Sequence, residues 1–271
     1  MFTQSIEIAS GFTSPYVGLR RRADGEVFTT IGAFVVLDAD GWVLTAGHVV
    51  DEILAAQIGN EMAGDAGEGG GGVTAHTELW AVPGFMSTRP RLVEAQVNRV
   101  ADIGVCRLEP FDPEAICAVP VLRDTLRAPI EQGMSVCRLG FPFCDVPATY
   151  DTDRDEFKFD ERAFPVPRFA LDGIVARFNR RFGDDGTTSA LYIETSTPGL
   201  RGQSGGPLLD TAGRVCGVQS HTAHIDLGFD ARYPTDVGTV TERQFLNVGT
   251  ATHVDEVRAM LDAVGVKYRL G

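Results

Sequence analysis

Short apolar runs separated by turn residues recur along most of the chain, and this pattern predicts β-strands joined by tight turns. The apolar runs at 32–37 and 42–45 flank a turn at 38–41 and predict a β-hairpin. A second pair of runs, Pro207–Leu209 and 214–220, flanks another turn. The pattern therefore predicts an all-β protein.

Two segments depart from the strand pattern. Apolar positions recur at helical spacing over 252–261, which predicts a C-terminal α-helix with Thr252 as its N-cap. Residues 59–72 are rich in glycine and lack the lysine of a phosphate-binding loop, so they predict a mobile surface loop. Strands are predicted again at 78–82 and 245–250.

Length, charge and hydropathy narrow the class of protein. The 271 residues suffice for one large or two modest domains. A net charge of −13 argues against nucleic-acid binding, which ordinarily needs a basic surface. No run of eighteen apolar residues occurs, so we expect no membrane span. The N-terminus lacks the basic start and apolar segment of a secretory signal, which predicts a cytoplasmic protein or a mature form whose leader has been removed.

The cysteines fit a reducing compartment. Five are present, an odd number without a CxxC pair, and three of them lie in apolar strand-like runs. We therefore expect buried free thiols, although a disulfide between Cys137 and Cys144 stays possible.

The run from Pro198 to Leu208 places one hydroxyl, that of Ser204, among glycines. A serine becomes a nucleophile only with an adjacent base and with donors for the developing oxyanion. The pattern Gly-x-Ser-x-Gly also occurs in the nucleophile elbow of α/β-hydrolases, where a helix follows the serine. Here a predicted hairpin follows, which favours an all-β enzyme.

Candidates for the other two members of a catalytic triad lie upstream. His48 ends a predicted buried strand among small residues, and Asp102 precedes the apolar run 103–108. A carboxylate in that position can fix the tautomer of an imidazole and stabilise the imidazolium. The order His48, Asp102, Ser204 makes a chance grouping improbable.

These three motifs resemble those of trypsin-like, chymotrypsin-fold serine proteases, in a style close to bacterial trypsin-like and HtrA-type protease domains. The resemblance implies two six-stranded antiparallel Greek-key β-barrels with a C-terminal α-helix. We expect the first barrel, residues 1–120, to carry His48 and Asp102, and the second, residues 121–271, to carry Ser204. Only residues 262–271 follow the predicted helix, so we expect no PDZ module of the kind that HtrA proteins carry.

The resemblance also assigns binding roles. The backbone N–H groups of Gly202 and Ser204 are expected to form the oxyanion hole. Gln203 stands where digestive relatives carry an acid that pairs with a newly cut N-terminus, so we hypothesise that no zymogen cleavage is needed.

The expected substrate-binding residues lie on two walls of a specificity pocket: Pro198, Arg201, Gln219, Ser220, His221 and Thr222. Pro198 replaces the aspartate that gives trypsin its preference for basic side chains. Trypsin specificity is therefore not expected, and polar or acidic side chains are the alternative.

The function predicted from the sequence is that of a serine endopeptidase acting on protein or peptide substrates. Two alternatives stay open: a catalytically silent domain that binds peptides or proteins, and a serine esterase. No cofactor or metal is expected, because the acidic run 151–156 lacks the glycine and glutamate of an EF-hand loop. His221, His224 and Asp226 also lack an evident further ligand.

Overall fold

A computed structural model of the chain describes residues 1–21, 24–65, 77–81, 90–154 and 156–271. Strands dominate these ranges, as the apolar pattern predicts. The elements in chain order are α1 (Thr3–Ser10), β1 (Thr13–Arg21), β2 (Val27–Val36), β3 (Trp42–Ala46), α2 (Gly47–Asp65), β4 (Thr77–Ala81), β5 (Arg91–Asn98), β6 (Ile103–Glu109), β7 (Val121–Leu122), β8 (Ser135–Gly140), β9 (Ala148–Asp151), β10 (Glu156–Phe159), β11 (Phe169–Phe182), β12 (Ser189–Thr195), β13 (Pro207–Leu209), β14 (Val215–Thr235), β15 (Gly238–His253), α3 (Val254–Val264) and β16 (Arg269–Leu270).

The first sheet has six strands in the order β4-β1-β2-β3-β6-β5. The predicted hairpin is present, with Val35 paired to Leu44 across β2 and β3. Strand β3 also pairs with β6 in antiparallel register, so that Ala46 lies opposite Ile103. This register brings the residues that follow β3 close to those that precede β6.

The second sheet has eight strands in the order β13-β8-β11-β12-β15-β14-β7-β16. Two of them, β7 and β16, contain only two residues each. The predicted hairpin of β13 and β14 forms, with Pro207 opposite Val218. Strands β14 and β15 extend far beyond this sheet as a long two-stranded hairpin, paired from Gly217–His253 to Thr235–Gly238. We call the part of this hairpin beyond Thr222 and Gly249 the ribbon.

One hydrophobic cluster joins both sheets and the C-terminal helix. It contains Leu44 and Ile103 of the first sheet, Leu139 and Ile193 of the second, and Leu261 of α3, all fully buried. Burying an aliphatic side chain of this size contributes about 1.5–3 kcal/mol, so this shared core fixes the two sheets against each other.

A buried group of charges supports the turn between β13 and β14. Asp210 accepts hydrogen bonds from Arg123 at 2.6 Å and from Arg214 at 2.7 Å, and its side chain is 3% exposed. Burial works to raise the pKa of Asp210, but hydrogen bonds from the backbone and from both arginines outweigh it and lower the pKa. The carboxylate is therefore held in its charged form.

Three features differ from the sequence expectations. The helix α2 continues to Asp65, so residues 59–65 of the expected mobile loop are helical, and residues 66–72 lie outside the described residues. His48 lies in the first turn of this helix, just beyond β3. The N-cap of α3 is His253, which accepts from the backbone N–H of Asp255, whereas Thr252 is the last residue but one of β15.

The expectation of buried free thiols holds for three of the five cysteines, whereas Cys117 is exposed and Cys144 is partly exposed. Cys106, Cys137 and Cys216 are buried, and all five cysteines, Cys144 included, are free thiols. Burial raises the pKa of Cys106 and of Cys216 to about 12, so neither thiol is a nucleophile at neutral pH.

Candidate active site

One helix start and two loops supply the candidate catalytic residues. His48 is the second residue of α2, directly after β3, and Asp102 directly precedes Ile103, the residue that pairs with Ala46 of β3. Ser204 lies in the loop between β12 and β13, and its carbonyl accepts a hydrogen bond from Ala33 N at 2.9 Å. The sheet register thus brings the histidine and the aspartate together, and a backbone bond to β2 attaches the serine loop to the first sheet.

Asp102 holds His48 at two points. The Nδ1 atom of His48 lies 3.0 Å from Oδ2 and 3.1 Å from Oδ1 of Asp102. The backbone N–H of His48 also donates to Oδ1 at 2.9 Å. Asp102 adopts a φ of 48°, a left-handed conformation that aspartate tolerates better than most residues. With Nδ1–H directed at the carboxylate, Nε2 is left as a proton acceptor.

The carboxylate of Asp102 has a further donor that was expected to serve only substrate binding. The hydroxyl of Ser220, on β14, donates to Oδ2 of Asp102. Burial works to raise the pKa of Asp102, but the hydrogen bonds from His48 and Ser220 prevail and lower the pKa below its usual value. The hydrogen bond to Asp102 in turn raises the pKa of His48, against the effect of burial. Both shifts favour a charged carboxylate beside an imidazole that accepts a proton readily.

The hydroxyl of Ser204 does not reach His48 in this conformation. Its Oγ atom lies 3.3 Å from the carbonyl oxygen of Ser220, to which it donates. Among the hydrogen bonds of the described residues, none joins Ser204 to His48, yet both side chains line one pocket of about 320 Å³. In unliganded enzymes the bond from nucleophile to base is often long or poorly aligned and tightens only with substrate.

In the loop that carries Ser204, two backbone N–H groups have no protein acceptor among the described residues. Gly202 has a φ of 96°, and a Cβ atom there would lie 2.5 Å from the carbonyl oxygen of Phe141. The carbonyl of Gly202 accepts from Phe141 N at 2.9 Å. Within the described ranges, the N–H groups of Gly202 and Ser204 donate to no protein acceptor. These are the two amides expected to form an oxyanion hole.

Gln203 closes the same loop through its own side chain. It is fully buried, its Oε1 accepts from Leu200 N at 2.9 Å, and its backbone N–H donates to the carbonyl of Leu200. The residue also fits closely against Gly140, where a Cβ atom would lie 2.8 Å from Gln203 Cα. The loop is therefore held by local bonds with no contribution from a chain terminus.

The structure brings most of the expected substrate-binding residues to one pocket. Besides His48 and Ser204, the pocket is lined by residues 199–201 on one side and 219–222 on the other. Thr222 Oγ1 donates to the carbonyl of Gly199 at 2.5 Å and so links the two walls. Pro198 is not part of the lining, and its carbonyl instead accepts from Arg138 at 3.3 Å.

Sequence reasoning missed two arginines near this pocket. Arg138 on β8 is 1% exposed and donates through Nε to Gln219 Oε1 at 2.5 Å. Arg181 on β11 contacts Nε2 of His221. The sequence contains one local signal for Arg138, which is a charged residue inside the apolar run of β8. It contains no signal for Arg181.

His221 belongs to a chain of hydrogen bonds that runs from Arg181 through His221 and Ser220 to Asp102. Its Nδ1 lies 2.7 Å from the hydroxyl of Ser220, whose single proton is already given to Asp102. His221 must therefore donate from Nδ1, which leaves Nε2 to accept from Arg181. Burial and the neighbouring Arg181 lower the pKa of His221, in agreement with a neutral ring.

In the described part of the chain, no cluster of three or more histidine, cysteine or acidic side chains is placed to hold a metal ion. His224 instead contacts Asn247 Oδ1 at 2.6 Å through Nδ1. None of the described helices is both long enough and apolar enough to cross a bilayer.

Comparisons with known proteins bear on the fold and the family. No curated protein matches the sequence significantly. Among solved structures, the HtrA-type protease AlgWS227A with a tripeptide has a TM-score of 0.56 and 17% identity over 97% of this chain and 63% of that one. The same protease with a decapeptide has a TM-score of 0.55 and 16% identity, over 98% and 68%.

These likenesses confirm the chymotrypsin-type double-barrel fold, and the chain spans less than two thirds of the first of these structures. The family model described as trypsin-like peptidase domain matches residues 32–218, which is more than half of the sequence. The chain belongs to the family of trypsin-like peptidase domains.

Proposed function

We propose that this protein is a serine endopeptidase that hydrolyses peptide bonds through an acyl-enzyme on Ser204. The observation that carries the proposal is the contact of His48 Nδ1 with both carboxylate oxygens of Asp102, with Ser204 in the same pocket. This arrangement leaves Nε2 of the histidine as the base and faces it toward the pocket that holds the nucleophile.

The reaction proceeds by acyl transfer. Ser204 Oγ attacks the peptide carbonyl while His48 Nε2 takes its proton, and the resulting oxyanion is held by the N–H groups of Gly202 and Ser204. His48 then gives the proton to the leaving amine, and a water molecule, activated by the same base, releases the acyl group. Asp102 stabilises the imidazolium in both halves of the reaction.

A substrate is expected to bind as an added strand. The pairing of β14 with β13 ends at Val218, and its pairing with β7 is confined to Val215. From Ser220 onward, this edge of β14 therefore has no partner strand among the described residues, while β15 occupies the other edge. An extended peptide can pair with the open edge and direct one side chain into the pocket.

Active-site labelling tests the proposal. We expect a fluorophosphonate probe to modify Ser204, as read by mass spectrometry, and casein to be degraded. The variants Ser204→Ala and His48→Ala should each lower turnover by about 10⁴-fold. Ser189→Ala is the matched control, since the hydroxyl of Ser189, on β12, has Arg180 of β11 at 3.2 Å as its one hydrogen-bond partner among the described residues. Full hydrolysis by Ser204→Ala would remove the assignment.

A silent peptide-binding domain is the second candidate, favoured by the orientation of Ser204 Oγ toward Ser220 rather than His48. Such a domain would bind extended peptides but react with no fluorophosphonate. An esterase would react with the probe and cleave small esters while leaving casein intact.

A further inference from the structure

Beneath the substrate pocket lies a buried positive charge with no counter-ion. Arg138 is the largest fully buried side chain among the described residues, and no salt bridge there joins it to a carboxylate. Burial lowers the pKa of its guanidinium to about 10, so the group is still charged at neutral pH. A buried charge without a partner is costly, which makes this position unusual for a purely structural residue.

The acceptors of the guanidinium are neutral oxygens, one on Gln219 of the pocket wall and two on the residues that directly precede Gly199. Arg138 Nη1 donates to Thr197 Oγ1 at 3.0 Å and to the carbonyl of Pro198 at 3.3 Å. Its Nη2 has no hydrogen-bond partner within the described residues. A Cβ atom on Gly249 would lie 2.1 Å from this Nη2 and 2.8 Å from the amide of Gly199, a residue of the pocket wall. The unused donor thus lies directly behind that wall.

Gln219 connects this charge to the pocket. Because its Oε1 accepts from Arg138 Nε, the amide is oriented with its NH₂ group away from the arginine. The Nε2 atom donates one proton to the carbonyl of His221 at 2.9 Å. A Cβ atom on Gly199 would lie 2.2 Å from Nε2, so the second N–H lies at the pocket wall.

We propose that this pocket selects an acidic side chain at P1, the residue on the acyl side of the cleaved bond, with Gln219 as the direct donor and Arg138 as the charge behind it. The inference rests on the proposed endopeptidase function and names its substrate class. A carboxylate supplies the missing counter-charge and accepts the free N–H of Gln219. A basic P1 side chain would face the guanidinium and be rejected.

The test compares peptide anilides Ala-Ala-Pro-X with glutamate, aspartate, glutamine, leucine or arginine at X. We expect kcat/KM for glutamate to exceed that for glutamine by about tenfold, since charged hydrogen bonds are about twice as strong as neutral ones. Fastest cleavage after leucine or arginine overturns the inference and leaves the endopeptidase function intact.

Two variants separate the specificity role from a structural one. Gln219→Glu places a carboxylate against Arg138 and should reduce the glutamate-to-glutamine ratio to one or below. Arg138→Met removes the charge and should do the same. Arg127→Met, whose side chain is 89% exposed, is the control that removes one surface charge and should keep the ratio. An unchanged ratio in a folded Gln219→Glu protein contradicts the proposal.

A binding experiment covers the case in which no peptide is cleaved. The Ser204→Ala protein is titrated by calorimetry with acetyl-Ala-Ala-Pro-Glu and acetyl-Ala-Ala-Pro-Gln, both ending in a free carboxylate. Tighter binding of the glutamate peptide supports the inference even if the endopeptidase proposal fails. Equal affinity, or tighter binding of the glutamine peptide, overturns it.

Discussion

Replacing Ser220 by alanine removes one hydrogen bond from Asp102, the carboxylate that contacts His48, the proposed catalytic base. The side chain of Asp102 is only 21% exposed, so water replaces the lost donor poorly. A hydrogen bond to a charged group contributes about 1.5–3 kcal/mol to stability. Since 1.36 kcal/mol corresponds to a factor of ten, the loss can lower kcat by about 10- to 100-fold.

The same substitution has a defined effect on pH dependence. Without the Ser220 donor, Asp102 carries more of its negative charge toward His48, and the pKa of His48 rises further above its usual value. Because the base must be neutral, the acidic limb of the kcat/KM profile moves to higher pH.

The assay is a kcat/KM profile of Ser220→Ala between about pH 5 and 9, measured with any peptide anilide that the native protein cleaves. Ser189→Ala serves as the control. His221→Ala removes the donor to the hydroxyl of Ser220 and leaves the bond from Ser220 to Asp102 in place. It should move the acidic limb in the same direction by a smaller amount. A Ser220→Ala protein with kcat within twofold of the native value and an unmoved acidic limb would refute this reasoning.

Further predictions concern the native profile, the oxyanion loop, the buried ion group and the N-terminus. The raised pKa of His48 places the acidic limb of kcat/KM above pH 6.5, and a midpoint at or below 6.5 would contradict this. Gly202→Ala should lower kcat by about 100-fold, because it forces the loop from a φ of 96° and displaces one oxyanion donor; near-native kcat would argue against that role. Asp210→Asn leaves two arginines without their buried carboxylate and should lower the free energy of unfolding by about 3 kcal/mol in urea titrations. Since the folded pKa of Asp210 is lowered, its contribution is present at neutral pH and is lost as the pH falls through that pKa; a stability difference that persists in acid would be inconsistent. The untrimmed recombinant chain should be active because Gln203 closes the oxyanion loop by itself, and a strict need for N-terminal cleavage would defeat this.

The sequence located the candidate catalytic residues because each lies in a short motif at the end of a strand. His48, Asp102 and Ser204 follow or precede apolar runs whose lengths and turns are readable locally. The register between β3 and β6, which brings the first two together, joins strands that lie far apart in the sequence, so the local pattern did not predict it. The sequence did not predict the contacts that Arg138 makes behind the pocket. Its partners Gln219 and Thr197 lie 81 and 59 positions away along the chain.

Most of the ribbon and α2 were missed for different reasons. Residues 225–233 alternate apolar and polar side chains, a strand pattern that was overlooked, and most of these apolar side chains are exposed in the structure. The first turns of α2 contain Val49, Val50 and Ile53, which pack into the core of the first sheet, and the helix then continues through a glycine-containing segment. The packing of the first turns stabilises the helix more than the low helix propensity of this segment destabilises it.

The shared hydrophobic cluster has a consequence for the proposed catalytic geometry. His48 and Asp102 adjoin strands of the first sheet, and Ser204 and Ser220 belong to the loops and strands of the second. Neither sheet can separate from the other without exposing side chains such as Leu44 and Leu139, which are fully buried. We therefore expect the two halves to unfold as one cooperative unit, because a partly unfolded state that retains only one of them would lack part of the proposed triad.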